Sequence, residues 1–511
     1  MKRHVVIIAV SLLMFPDLAV RAPAQTVLPL LRGTTDDATN PTDGTTTDTI
    51  VDGTVAGSVI TPGDAPARTI AQPASTPRAT PRSAPGPLPA SRPTAPAIDR
   101  GRAAAVNRAA TPVVDPATTG GINGRRTATE NEDDNDYQPL GLRVGTFTIL
   151  PSIEITAGGT DNTSRSVFGI PGGFYRIAPE LIIRSDWTRH SLTFNLSGDY
   201  QGFPRSPDDD EPEVDLELRG RVDFSENSDL ELVAAYGWDR EARRSADVPL
   251  TASRTSNIHN LSGGLYFTHN AGMIGLRAGI SGERTIYTGT VLSGGTTVDE
   301  SDRNNSVADA SLRLSIFPSA SLVPYFEAGV LYRNYDAATD RNGYRRDAKG
   351  YRVLAGLQVD FGPKLNGTIG AGYRHEKLAD GRLPDLRGPI ISASLAWSPV
   401  RLTTVSLNAS TAFDATTITG ASGSIVHNVD INLAHSLRRN VTLDFGLGFD
   451  YRDYRGIKRR DLTTGLTAGY TWAWSRNAAL IARYTYERTD STSATAQSQT
   501  NTFELGVRLQ H

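Results

Sequence analysis

From Leu140 to His511 the chain alternates short and long connections between two-faced segments, and few folds can carry that pattern. The segment NVTLDFGLGFDYRDYR (Asn440–Arg455) shows the unit. Val441, Leu443, Phe445, Leu447, Phe449 and Tyr451 fall on one side of an extended chain, and Thr442, Asp444, Gly446, Gly448, Asp450 and Arg452 on the other. A period of two predicts a β-strand with one apolar and one polar face. Eighteen such segments can be placed, from 144–157 to 500–511. Eight short turns separate them, among them FSENSD (Phe224–Asp229), WSPVR (Trp397–Arg401) and WSRNA (Trp474–Ala478). Between the short turns lie nine long polar loops, such as FPRSPDDDEP (Phe203–Pro212) and TGTVLSGGTTVDESDR (Thr288–Arg303). A soluble sandwich would put the apolar face in a core, whereas a transmembrane barrel puts it in lipid and the polar face in a wet lumen. Short turns on one side and long loops on the other are the barrel's signature.

Aromatic residues mark both ends of the segments. Tyr236, Tyr332, Tyr373, Phe413, Tyr451 and Tyr484 stand near long loops, and Trp187, Phe224, Phe267, Phe317, Phe361, Trp397, Trp472 and Trp474 near short turns. Two aromatic levels match the girdles that barrels place at the two membrane interfaces. From Tyr332 the aromatic repeat returns every 41, 40, 38 and 33 residues, which also suits a propeller blade. Each repeat has room for only two long strands, and a blade needs four, so the propeller is rejected. The predicted fold class is therefore all-β: a transmembrane antiparallel up-and-down β-barrel of about 18 strands, preceded by a disordered N-terminal segment. Nine outer loops against eight short turns, hence an even number of strands, place the tether and His511 on the same, periplasmic side.

The N-terminus fixes the compartment. Residues 1–24 have a basic start (Lys2, Arg3), an apolar run from Val5 to Phe15 and Ala22-Pro23-Ala24, the layout of a cleaved signal peptide. That run is too short to span a bilayer as a helix. Residues 25–140 hold no aromatic before Tyr137 and are rich in Thr, Ala and Pro, as in TPRATPRSAPGPLPASRPTAPA (Thr76–Ala97). They read as a disordered periplasmic linker, with 141–511 as the outer-membrane β-barrel. Cysteine is absent, which excludes disulfides, thiolate metal sites and a cysteine nucleophile. A net charge of -3 with no concentrated basic face gives no reason to expect nucleic acid as a partner. The eight histidines form no HExxH, no GxSxG elbow occurs, and DDDE (Asp208–Glu211) lacks the spacing of a calcium loop. Neither an enzyme nor a bound cofactor or metal is expected.

The segments GLRVGTFTILPSIEITAGGTDNTSRSVFG (Gly141–Gly169) and RIAPELIIRSDWTRHSL (Arg176–Leu192) carry a resemblance, through Gly145, Phe147, Pro151, Asp161, Asn162, Pro179, Glu180, Trp187 and His190. They resemble an outer-membrane β-barrel porin family of proteobacteria, some members of which occur in exopolysaccharide loci. The resemblance implies an outer-membrane barrel serving polysaccharide passage and assigns no catalytic residue. The last strand, NTFELGVRLQH, is similar to the C-terminal signal read by the barrel-assembly machinery, with His511 where that signal usually ends in Phe.

If the apolar face meets lipid, the other face lines the lumen. The lumen-lining candidates are Asp215, Glu217, Arg219, Arg221, Asp223, Asp309, Arg313, Arg352, Asp360, Asp444, Asp450, Arg452, Arg483, Glu487, Glu504 and Arg508. Both signs are interleaved, so cross-strand ion pairs should cancel much of the field, and strong ion selectivity is not expected. The expected function is a porin-like channel, with a structural or adhesive barrel of plugged lumen as the alternative and an outer-membrane enzyme as the remote one. Expected partners are outer-membrane lipid, lipopolysaccharide, the assembly machinery and polysaccharide. The sequence leaves the oligomeric state open.

Overall fold

The computed structural model describes residues 137–317, 321–400 and 402–511. The expected signal peptide and nearly all of the expected linker lie outside the described residues. The rest is an antiparallel barrel of eighteen strands. The first six are β1 (Phe147–Thr160), β2 (Gly172–Ser185), β3 (Ser191–Gly202), β4 (Glu211–Ser225), β5 (Ser228–Arg240) and β6 (Asn257–Ala271). Then come β7 (Ile274–Tyr287), β8 (Asn305–Ile316), β9 (Leu322–Tyr335), β10 (Ala348–Asp360), β11 (Leu365–Leu378) and β12 (Leu386–Val400). The last are β13 (Thr403–Asp414), β14 (Gly423–Arg438), β15 (Val441–Arg455), β16 (Arg460–Ala473), β17 (Ala478–Ser491) and β18 (Ser498–Gln510). Each strand pairs with its sequence neighbour. The barrel closes where β1 meets β18, from Ser152 opposite Gln510 to Thr160 opposite Thr502. Below that contact β1 runs on past the C-terminus. Its free edge is covered by Leu142–Val144, which folds back as a short strand opposite Phe147–Ile149. Closure pairs the backbone groups of neighbouring strands internally, as hydrocarbon requires, along the whole wall but for the outer half of the β12–β13 junction.

The two faces divide as the alternation predicts. On β15, Phe445, Leu447, Phe449 and Tyr451 are exposed while Asp444, Asp450 and Arg452 are buried. The same exposed apolar row continues through Phe326, Val330, Ile369, Leu466, Phe503 and Leu505. Polar groups buried inside and apolar groups exposed outside are the reverse of a soluble protein, and lipid is the solvent that fits. No helix among the described residues is long and apolar enough to cross a membrane. Trp187, Phe224, Phe267, Phe361, Trp397, Trp472 and Trp474 are exposed at the short-turn end, and Tyr351, Tyr373, Tyr451 and Tyr484 at the other.

One expected girdle residue sits elsewhere. Phe413 is 1% exposed and packs inside, with Leu354, Leu386, Ile390 and Ile425. The reason is a break in the wall. β12 and β13 pair from Val400 opposite Thr403 up to Ser392 opposite Ser410, and there the ladder stops. Beyond it, Ala412–Asp414 and Ser424–Val426, which pair with each other, are buried on both faces. The outer end of β13 has parted from β12 and turned into the barrel, while β14 stays paired with β15 up to Gly423 opposite Arg455. Arg333 of β9, four strands away, donates to the Phe413 carbonyl at 3.0 Å, a contact only an inturned strand can make. The sequence explains the break. Ile391 directs its N–H toward β13, where it donates to the Thr411 hydroxyl at 2.9 Å. Pro389, two residues on, faces the same side and has no N–H, so the ladder loses a donor where β13 departs.

Candidate functional site: a charged lumen closed at the mouth

The inward faces carry the chemistry. Where β18, β1 and β2 close the barrel, Glu154 accepts from Arg508 Nε at 2.7 Å and pairs with Arg483 at 3.5 Å. Glu504 accepts from Arg483 at 2.6 Å, from Thr156 at 2.6 Å and from Arg176 at 3.3 Å, and Arg176 continues to Asp199 at 2.5 Å. A second lattice covers β8 to β10. Arg352 binds Asp309, and Glu327 joins Arg352 and Arg313 at 3.0 Å each. The Arg313 guanidinium also lies 3.9 Å from the centroid of the Tyr325 ring. A third set holds the inturned end of β13: Arg333 to Glu376 at 3.4 Å, Arg374 to Glu376, and Arg452 to Asp414 at 3.0 Å. Arg374 lies over the Phe413 ring at 4.8 Å. Glu154, Glu327, Glu376 and Glu504 are each shared by two arginines, because inward side chains recur every second residue and neighbouring strands stand in register.

The sixteen expected lumen residues separate by place. Asp309, Arg313, Arg352, Arg452, Arg483, Glu504 and Arg508 belong to these lattices, and Asp444 and Asp450 lie buried beside them on β15. Asp215, Glu217, Arg219, Arg221 and Asp223 line β4 and stay half-buried, with Arg219 bound to Glu217 at 2.9 Å and Arg221 to Asp223 at 2.8 Å. Glu487 pairs with a loop residue, Arg244, at 2.9 Å. Asp360 lies at the short-turn end, where its carboxylate accepts from the Gly362 N–H at 2.9 Å. Sequence reasoning missed Glu154, Arg176, Glu327, Arg333, Arg374 and Glu376, although each sits at an inward parity position of its strand.

The long-loop end is closed. The loop 241–256 between β5 and β6 reaches over the mouth. Its Asp247 accepts from the Thr416 hydroxyl at 2.8 Å, and from the Thr417 N–H at 2.8 Å and hydroxyl at 3.0 Å, at the tip of the β13–β14 hairpin. Those two hairpins are eight strands apart in a barrel of eighteen, so the contact bridges nearly opposite walls. Arg244 of the same loop reaches Glu487 on β17, and its carbonyl accepts from Arg459 at 3.0 Å. Arg303 ties Glu241 at 2.7 Å, and Arg341 ties Glu300 at 2.7 Å and Asp302 at 2.5 Å. Asn342 donates to the Thr417 carbonyl at 2.7 Å, and Arg346 to that of Ile418 at 3.1 Å. In this outer network burial raises the Glu300 carboxyl. Burial works against Asp302 too, but hydrogen bonds from Arg341 outweigh it and hold that carboxyl below its ordinary value. Below the closure, the inward polar groups of β3, β4 and the lower halves of β13 and β14 are half-buried, among them Asn195, Ser197, Glu217, Asn408 and Asn432.

An apolar belt, two aromatic levels and an ionic interior closed by its own loops define an outer-membrane β-barrel. The chain belongs to the family described as "Putative beta-barrel porin 2", whose profile matches residues 134–511. A search of curated proteins returns no match. Solved structures similar in fold include the siderophore receptor PirA from Acinetobacter baumannii, at 6% identity and TM-score 0.37, covering 71% of this chain and 80% of that one. The FrpB iron transporter from Neisseria meningitidis is 8% identical, TM-score 0.36, covering 66% and 62%. The ferric citrate transporter FecA is 13% identical, TM-score 0.34, covering 67% and 60%.

Proposed function

We propose that this protein is a non-catalytic outer-membrane channel, closed at its outer mouth in the state described, that passes a neutral or weakly charged polymer such as an exopolysaccharide. The observation that carries the reading is the contact of Asp247 with Thr416 and Thr417, which joins nearly opposite walls through side-chain hydrogen bonds. Such a contact is modest beside a strand ladder, because each bond to a charged acceptor contributes about 1.5–3 kcal/mol net of the water that replaces it on opening. The wall, by contrast, is held by continuous strand ladders. A closure this weak on a wall this strong is a gate. Eighteen strands enclose room for an aqueous path once it opens. The paired arginines and carboxylates cancel locally, so the path suits hydroxyl-bearing solutes better than ions of one sign. A cleaved signal, a periplasmic linker, assembly by the barrel-assembly machinery and contact with lipopolysaccharide complete the proposed setting.

A second reading, a closed barrel that acts through its outer loops, is favoured by the same mouth contacts. Liposome swelling separates the two. Vesicles containing the full chain, challenged with neutral oligosaccharides of graded size, should swell slowly with the native protein and several-fold faster with Asp247→Ala. Equal impermeability of both, in barrels shown to be folded by heat-modifiable migration, would reject the channel and leave the structural reading.

A further inference from the structure

Among the described residues the largely ionic interior holds an apolar cluster, and that cluster lies behind the break in the wall. Leu386 and Ile390 face inward on the β12 side of the seam, and Phe413 and Ile425 on the other, with Leu354 and Tyr325 beneath them. All six are buried. Above Ser392 the seam is closed by this apolar contact and by two side-chain stitches: Ile391 N–H to the Thr411 hydroxyl, which in turn shares a hydrogen bond with His427 Nδ1 at 2.9 Å, and at the outermost end the Ser422 hydroxyl to the Pro384 carbonyl. A glycine sits at the tightest point. A Cβ at Gly388 would fall 2.7 Å from Ile425 Cδ1 and 3.7 Å from Arg455 Nη2.

The height of the seam is set by register. Pro389 pairs with Tyr373, and Arg387 with His375, which pairs in turn with Tyr351. Tyr351 and Tyr373 are exposed outer-girdle aromatics, so the seam opens where acyl chains meet headgroups. Its outer rim is weighted toward positive charge. Arg387 is exposed, Arg455 and Arg460 share Asp453 at 3.3 Å each, and Asp385 is held by His375 at 3.0 Å. Elsewhere in the wall, parting two strands would strand backbone hydrogen bonds in lipid. Here it would part apolar side chains, and an acyl chain is the ligand that replaces those contacts in kind.

We infer that the β12–β13 seam is a lateral site for an amphiphile of the outer leaflet, its acyl chain lodged among Ile390, Phe413, Ile425 and Leu354 and its anionic head against Arg387 and Arg455. The seam joins the lumen to the bilayer sideways, a route separate from the mouth. The inference does not depend on conduction through the mouth.

The chain contains no cysteine, so an engineered disulfide can lock the seam without competing thiols. The full chain, and a Gly388→Cys/Ile425→Cys variant, are placed in phosphatidylcholine vesicles doped with phosphatidylglycerol bearing a photoreactive diazirine on its chain. After irradiation, mass spectrometry maps the cross-links. The unmodified protein and the reduced variant should label at Phe413 and Leu354 as well as at the lipid-facing Leu447 and Phe449. Oxidation should cut labelling at Phe413 and Leu354 at least tenfold, leave Leu447 and Phe449 unchanged, and be reversed by reduction. Thr411→Val, which removes the stitch to Ile391, should raise interior labelling with no thiol present. Labelling confined to the lipid-facing residues in all forms would overturn the site, as would interior labelling that survives oxidation. The same chain on phosphatidylcholine should label several-fold less, and equal labelling would overturn the role given to the anionic head.

Discussion

A single inward carboxylate shows what alternation means in a barrel. Glu327 is 1% exposed and bonded to Arg313 and Arg352. Glu327→Ala leaves two buried guanidiniums short of a partner, which should cost about 3–5 kcal/mol. Urea unfolding of the refolded barrel in phospholipid measures it. A loss under 1 kcal/mol would mean that water already solvates this lattice. On the other face, Leu447 is exposed to lipid. Leu447→Arg should cost about 2–4 kcal/mol if the site lies near the midplane. A neutral result in the same assay would contradict the assignment of faces. These parities were readable in the sequence because a strand has only two sides, and β15 keeps apolar and polar residues apart without exception from Val441 to Arg452. The partners were not readable. Nothing in the order of residues says that Arg483 of β17 meets Glu154 of β1, because the contact exists only once the ends of the sheet have met.

At the scale of elements, strands and turns were legible while the path of one strand was not. Thr411-Ala412-Phe413-Asp414 reads like any wall strand, with an aromatic where a girdle residue belongs. Its departure from the wall depends on Pro389 in the neighbouring strand, and the sense of a missing N–H is known only when the register is known. Loop contacts were equally hidden, since Asp247 and Thr416 are 169 residues apart. The outer loops have a definite acid response. Asp302 lies below its ordinary value of 3.8 through its bonds to Arg341, and Asp380 well below through Arg382. A depressed carboxylate contributes stability that is present above its unfolded value and is lost as pH falls through the folded one. Glu300 runs the other way: burial raises it, so it takes up a proton first and loses no stability by doing so, while Asp302 still holds Arg341. Limited proteolysis of loops 288–304 and 336–347 should therefore match at pH 7 and pH 5 and rise only below the ordinary carboxylate range. Loosening near pH 5 would show that the pairs at Asp302 and Asp380 do not hold the loops.

For the whole molecule, closure governs stability and, in the proposed function, passage as well. β1 and β18 meet through a ladder, an ionic cluster of Glu154, Arg176, Arg483, Glu504 and Arg508, and the short strand Leu142–Val144 that covers the remaining edge. That construction makes the wall the strong part of the protein, while the mouth is held by hydrogen bonds between loops. The central claim, a rigid barrel with a weak gate, is tested most directly by single-channel recording in planar bilayers. The native full chain should be quiet or show brief, small openings. An Arg244→Ala/Asp247→Ala variant, released from both β17 and the β13–β14 tip, should give long, large steps with little preference between cations and anions. Large, stable steps from the native chain would show that the mouth is open, and silence from the folded double variant would show that the lumen is sealed below it.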